Sequence, residues 1–168
     1  YFNMALPNIR ESGDKQLLAL ILKDMGVSYL GLKNYDIAMF YFKESLDYRM
    51  QSNNMKNIAI VESKMGDTYY HMKDYTSAIK YQKQALQNYS VLGNNSSKML
   101  SNVTISNAYL QLNKLNLAKK HAFNALEIAK KIGGIEGEKE AYYTLSQIAI
   151  KEGNSKKALQ FYIQFQQF

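Results

Sequence analysis

The chain has 168 residues, 46% hydrophobic and 21% charged, with 21 Lys+Arg against 14 Asp+Glu for a net charge of +7. That balance excludes disorder as the main state and is enough for one domain with a buried core. No cysteine is present, which excludes a disulfide framework, a thiolate metal site and a cysteine nucleophile, and no apolar run reaches the roughly 18 residues of a membrane span.

One proline and nine glycines suit helices better than many-turned sheets. In chain order the sequence predicts helices over about 1–12, 15–32, 35–52, 55–72, 75–92, 95–112, 115–132, 135–151 and 155–168. Pro7 weakens the first of these, because it removes a helix hydrogen bond and clashes with the preceding turn, so that end is expected to fray or kink. Asp14, Asn54 and Asn94 stand where a side chain can cap a helix start, with Gly134 at the matching place. The residues just before them, Gly13, Asn53, Gly93 and Gly133, suit the left-handed conformation that ends a helix. Asn34, Asp74 and Asn154 give a second set of starts. Lys114 breaks that column, and Asn113 is expected to serve in its place. Loops this short join antiparallel helices.

The helices recur at a 40-residue offset without a gap. Ala38, Ala78, Ala118 and Ala158 form one column, Tyr29, Tyr69 and Tyr109 another, and Tyr41, Tyr81, His121 and Phe161 a third. Small residues at Gly26, Gly66, Ser106 and Ser146 let a neighbouring helix approach, and the large residues of the 41 column are expected to fill the gap between units. A lone unit cannot bury these faces, whereas stacked units can. Tyr1-Phe2 falls over Tyr41-Phe42, so residues 1–14 read as the second helix of an incomplete repeat, followed by repeats at 15–54, 55–94, 95–134 and 135–168. The chain is therefore expected to be a piece of a longer protein.

The basic residues are dispersed, with Lys119-Lys120, Lys130-Lys131 and Lys156-Lys157 the densest clusters, so nucleic-acid binding is not expected. No phosphate loop, HExxH, GxSxG or calcium loop occurs, so no enzyme activity, cofactor or metal is expected in this segment. His121 lies in the aromatic packing column and reads as structural. Glu136 and Glu140 have helical spacing without a metal ligand beside them and read as an exposed face. Most of the fourteen tyrosines fall in repeat columns and read as inter-helix packing rather than as a base-stacking platform.

Gly26, Tyr29, Ala38, Phe42 and Ser45, then Gly66, Tyr69, Ala78 and Ala85, then Ser106, Tyr109, Ala118, Ala122 and Ala125 follow the pattern of the tetratricopeptide repeat, which the chain resembles over its whole length. Ser146, Ala149, Ala158, Tyr162 and Phe165 match least well, Gln82 departs at an aromatic place, and Leu22 replaces the usual tryptophan. The unit here is 40 residues against about 34 in the family. The long unit is similar to those in bacterial signalling proteins, where such arrays are joined to histidine kinases or helix-turn-helix regulators, and to those of the peptide-responsive Rap-type regulators. The resemblance implies an all-α, right-handed α-solenoid of antiparallel helix pairs that binds a protein or peptide and does no chemistry.

It implies a sensor or interaction region of a bacterial signal-transduction protein, or else a free-standing adaptor or assembly factor. The compartment stays open: the absence of cysteine suits the cytoplasm and the periplasm alike, including a segment of a membrane-anchored bacterial protein. The family's concave-groove positions fall here on Lys23, Val27, Ser63, Asp67, Tyr70, His71, Asn107, Gln111, Tyr143, Gln147 and Lys151. Val27 and Lys64 stand where a carboxylate clamp needs Asn, and Thr104 where it needs a basic residue, so that clamp is not expected.

Overall fold

The computed structural model describes residues 7, 10, 11 and 13–168. The helix expected over about 1–12, with its kink, lies outside the described residues apart from helical Pro7, Arg10 and Glu11. Eight further helices follow. They are α1 (Lys15–Gly31), α2 (Tyr35–Gln51), α3 (Met55–His71), α4 (Tyr75–Val91), α5 (Asn95–Gln111), α6 (Leu115–Ile132), α7 (Ile135–Lys151) and α8 (Ser155–Gln166). No strand occurs among the described residues, and none of these helices is long and apolar enough to cross a membrane.

The helix starts follow the capping logic. The Asp14 carboxylate accepts from the Gln16 and Leu17 amides at 3.0 Å, and Asp74, Asn94 and Asn154 each accept from the amide three residues on at 3.0 Å. Two expected caps fail. Asn34 stands at the start of α2 without a side-chain cap bond. Asn113 is not a cap at all, since it takes φ +56° and Lys114 occupies the N-cap place of α6. The reason is the turn itself, which uses one left-handed residue before each cap. Gly13, Asn53, Gly93 and Gly133 supply it between units as expected, while Lys33, Lys73, Asn113 and Gly153 supply it within units. A lysine there costs about 1–2 kcal/mol in backbone sterics. The turn offsets part of this cost by satisfying carbonyls at the helix end: the Lys33 amide donates to Leu30 O and the Asn34 amide to Tyr29 O, both at 2.9 Å.

Each helix packs on the next. The backbones of the first helices of successive pairs also approach one another, α1 to α3, α3 to α5 and α5 to α7, whereas those of the second helices stay further apart. One side of the stack is therefore shorter than the other. The chain curves into an all-α, right-handed α-solenoid, with α1, α3, α5 and α7 on its inner wall and α2, α4, α6 and α8 outside.

The small-residue column does what its spacing predicts. A Cβ added at Gly26 would lie 2.5 Å from the Phe42 ring, and one added at Gly66 would lie 2.7 Å from Gln82 Cγ. At the third unit the Ser106 hydroxyl donates to Ala118 O at 2.7 Å. The 41 column behaves differently from expectation. Tyr41 stacks on Tyr29 at 5.5 Å, Tyr81 on Tyr69 at 5.4 Å and His121 on Tyr109 at 5.8 Å, all within their own units. These residues lie one turn beyond the buried alanine column, so they face their own first helix. Phe161 alone also meets a ring of the preceding unit, Phe123, at 6.3 Å.

Candidate functional site

The inner wall is polar at its centre. Asp67 on α3 sits behind the surface and gathers three donors. Gln82 Nε2 donates to its Oδ1 at 2.7 Å, Thr104 Oγ1 reaches the same oxygen at 3.4 Å, and Lys64 Nζ lies 3.5 Å from Oδ2. The same Gln82 amide donates to Ser63 O at 3.0 Å, tying α4 to α3 from beneath. Burial pushes the Asp67 carboxyl above its ordinary range, and the charge of Lys64 is the largest effect holding it back.

Around this carboxylate opens a hollow of about 370 Å³, lined by Leu30, Lys64, Asp67, Tyr70, His71, Thr104 and Asn107 from α1, α3 and α5. His71 is exposed and lies parallel to Tyr35 with ring centroids 6.0 Å apart, and the Tyr70 ring stands edge-on to it at 5.9 Å. Tyr70 also meets Tyr75 at 5.5 Å. Burial, then Tyr75 and Glu140, raise the Tyr70 hydroxyl, so it stays a neutral donor. Thr144 Oγ1 on α7 lies 2.7 Å from Asn107 Oδ1 and 2.9 Å from Glu140 O, which ties Asn107 to α7 at the edge of the hollow.

Asp67, Tyr70, His71 and Asn107 thus come together, and Ser63 lies directly behind them through Gln82. The remaining expected positions spread along the wall. Val27 is exposed on α1, and Lys23 is engaged by its neighbour Asp24 at 2.5 Å. On α7, Tyr143 packs against Phe165 at 5.4 Å, Gln147 is half-buried, and Lys151 Nζ reaches back to Leu110 O at 3.2 Å. Gln111 is exposed at the end of α5. Lys64, Thr104 and Leu30 line the hollow without having been among the expected groove residues. The signal for two of them was the register: Lys64 and Thr104 lie three residues before Asp67 and Asn107, hence on the same helix face. Among the described residues, no three His, Cys, Asp or Glu side chains are placed to hold a metal ion.

An inner wall of first helices with a polar, aromatic-edged hollow defines a repeat scaffold for binding. Two stretches of the chain, residues 63–90 and 139–167, match the model of the tetratricopeptide repeat. The chain carries tetratricopeptide repeats. No curated protein matches it.

Solved structures show the same fold. A signal transduction ATPase with numerous domains and a tetratricopeptide repeat sensor, from Pyrococcus horikoshii, superposes with a TM-score of 0.86 at 20% identity, over 99% of this chain and 26% of that one. BtubC from P. vanneervenii gives 0.84 at 15% identity, over 92% of this chain and 64% of that one. The Rap conjugation gene regulator of the plasmid pLS20, solved in complex with the Phr* peptide, gives 0.81 at 17% identity, over 95% and 44%. The chain thus spans between 26% and 64% of the length of these proteins.

Proposed function

We propose that the inner wall binds an extended peptide or a helix of a protein partner, centred on the hollow at Asp67, Tyr70, His71 and Asn107. The observation that carries the reading is that hollow. It holds an aromatic edge for apolar contact, a neutral phenol and the Asn107 amide as polar groups, and a half-buried carboxylate with Lys64 beside it as charged anchors. Such a mix of apolar surface and a few placed polar groups is what peptide sites require. The finer reading is that this segment is the sensor or interaction region of a bacterial signalling protein. The likeness to a sensor array and to a regulator solved with its peptide supports it. No catalytic step is assigned to the segment.

Peptides selected from a random display library on the immobilised chain provide the probe, with binding measured by fluorescence anisotropy. Tyr70→Ala and Asn107→Ala are each expected to weaken the selected peptides about tenfold or more while circular dichroism shows both variants still folded at the assay temperature. Selected peptides whose affinity both variants leave intact would remove the groove from this role.

A further inference from the structure

The outer face carries a cleft that the inner wall does not use. It lies where α4, α5 and α6 meet, encloses about 540 Å³, and is bordered by Lys98, Asn102, Lys120, His121, Asn124 and Lys131 among others. The repeat register explains why it is open here. Forty residues further on, the places of Asn102 and His121 hold Tyr142 and Phe161, whose rings lie 6.5 Å apart. Forty residues back they hold Glu62 and Tyr81. Only the third unit has two short polar side chains there. Two of its cations are equally local, whereas the place of Lys120 already holds Lys80 in the second unit. The place of Lys98 holds Ile58 before and Glu138 after, and that of Lys131 holds Val91 before.

Asn102, 3% exposed, aims into the cleft and sets the state of the histidine. Its Nδ2 donates to Lys98 O at 2.8 Å, so its Oδ1 accepts, and the partner 2.8 Å away is His121 Nδ1. The imidazole therefore carries its proton on Nδ1 and keeps Nε2 as an acceptor. Burial first, then the charges of Lys83 and Lys120, pull His121 down to about 4, so the ring is neutral at pH 7. The charged groups around it are Lys83 from α4, Lys98 from α5, and Lys120, Glu127 and Lys131 from α6. Glu127 is bound to Lys131 at 2.6 Å, whereas Lys98 and Lys120 have no ion pair among the described residues.

We propose that this cleft binds a small-molecule phosphate monoester, with Lys98 and Lys120 meeting its charge. A phosphate monoester carries about −1.5 to −2 at pH 7, which matches the two ammonium groups left once Lys131 is engaged by Glu127. The volume falls within the roughly 300–1,000 Å³ of small-molecule sites. It leaves Asn95 and Asn124 on the wall for the hydroxyls of the organic part. An anion here offsets the repulsion that Lys120 exerts on His121, so binding and proton uptake by the ring are linked in both directions.

The test is an NMR titration of the His121 ring protons at constant ionic strength, with inorganic phosphate, ribose 5-phosphate and a phosphoserine peptide as separate probes. Phosphate and ribose 5-phosphate should give saturable shifts and raise the His121 pKa by about one unit. The double variant Lys98→Gln/Lys120→Gln should weaken both about tenfold or more, while Lys156→Gln, on another helix, changes neither. Absence of saturation with both small anions would overturn the proposal, as would shifts that survive the double variant. A response to the phosphopeptide without one to ribose 5-phosphate would also overturn it, by assigning the cleft to a macromolecule.

Discussion

The first and second helix pairs share one backbone plan and opposite interior chemistry. In the first, Phe42 fills the space beneath Gly26, and Val27 follows on the same helix. In the second, Gln82 fills the space beneath Gly66, and Asp67 follows. Both pairs bury the second-helix side chain almost completely. In the first the buried side chain meets only apolar neighbours: Phe42 packs with Met39, Val61 and Met65. In the second it is held by hydrogen bonds, and those bonds run from the core to the carboxylate on the inner wall. The difference shows how a repeat changes the chemistry of its inner wall. Changing two columns together turns a packing contact into the polar support of the proposed binding surface.

This contrast can be broken at its apolar side first. Phe42→Ala removes a fully buried ring and should cost about 3–5 kcal/mol in urea unfolding, the largest effect expected for a single change in this comparison. At the polar side, Gln82→Ala leaves the Asp67 carboxylate and Ser63 O without their best donor and should cost about 1–3 kcal/mol. The double variant Asp67→Val/Gln82→Phe transplants the first pair's chemistry into the second. It should be more stable than the sum of its single changes by about 1 kcal/mol or more, because both polar partners leave together. Strict additivity would show that the two columns are independent and that the contrast is incidental.

The smallest expected effect concerns pH. The fold holds the Asp67 carboxyl above its ordinary value of 3.8, so its protonated form is the one the fold favours. The resulting stabilisation is present below that value and is lost as pH rises through the folded pKa. Asp67→Asn does not titrate. Its stability relative to the natural chain should therefore rise between acid and neutral pH. A difference that stays flat across that range would show that the carboxylate is well solvated.

Much of this was legible without coordinates. The helices begin and end within a residue or two of where the caps and glycines placed them, because capping is local and each turn carries its own signal. The small-residue column was legible for a similar reason, since close approach needs a missing side chain whatever the partner is. Lys33 and Lys73 in left-handed turns were not legible, because nothing local favours them. They are carried by the helices on either side. Asp67, Tyr70, His71 and Asn107 were each expected on the inner wall as single positions. That they share one hollow with Lys64 and Thr104 depends on how α3 and α5 lie beside each other.

By itself, the amino-acid sequence determined the repeat, its 40-residue period, the helix pairs and the columns that pack them. All of these follow from periodicity and from interactions within a few residues along the chain. Only the tertiary structure decided which columns stack within a unit, that Gln82 reaches through the pair to Asp67, and that Asn102 and His121 leave an opening on the outer face. Those outcomes join residues 12 or more positions apart, and the packing of helix on helix sets their distances.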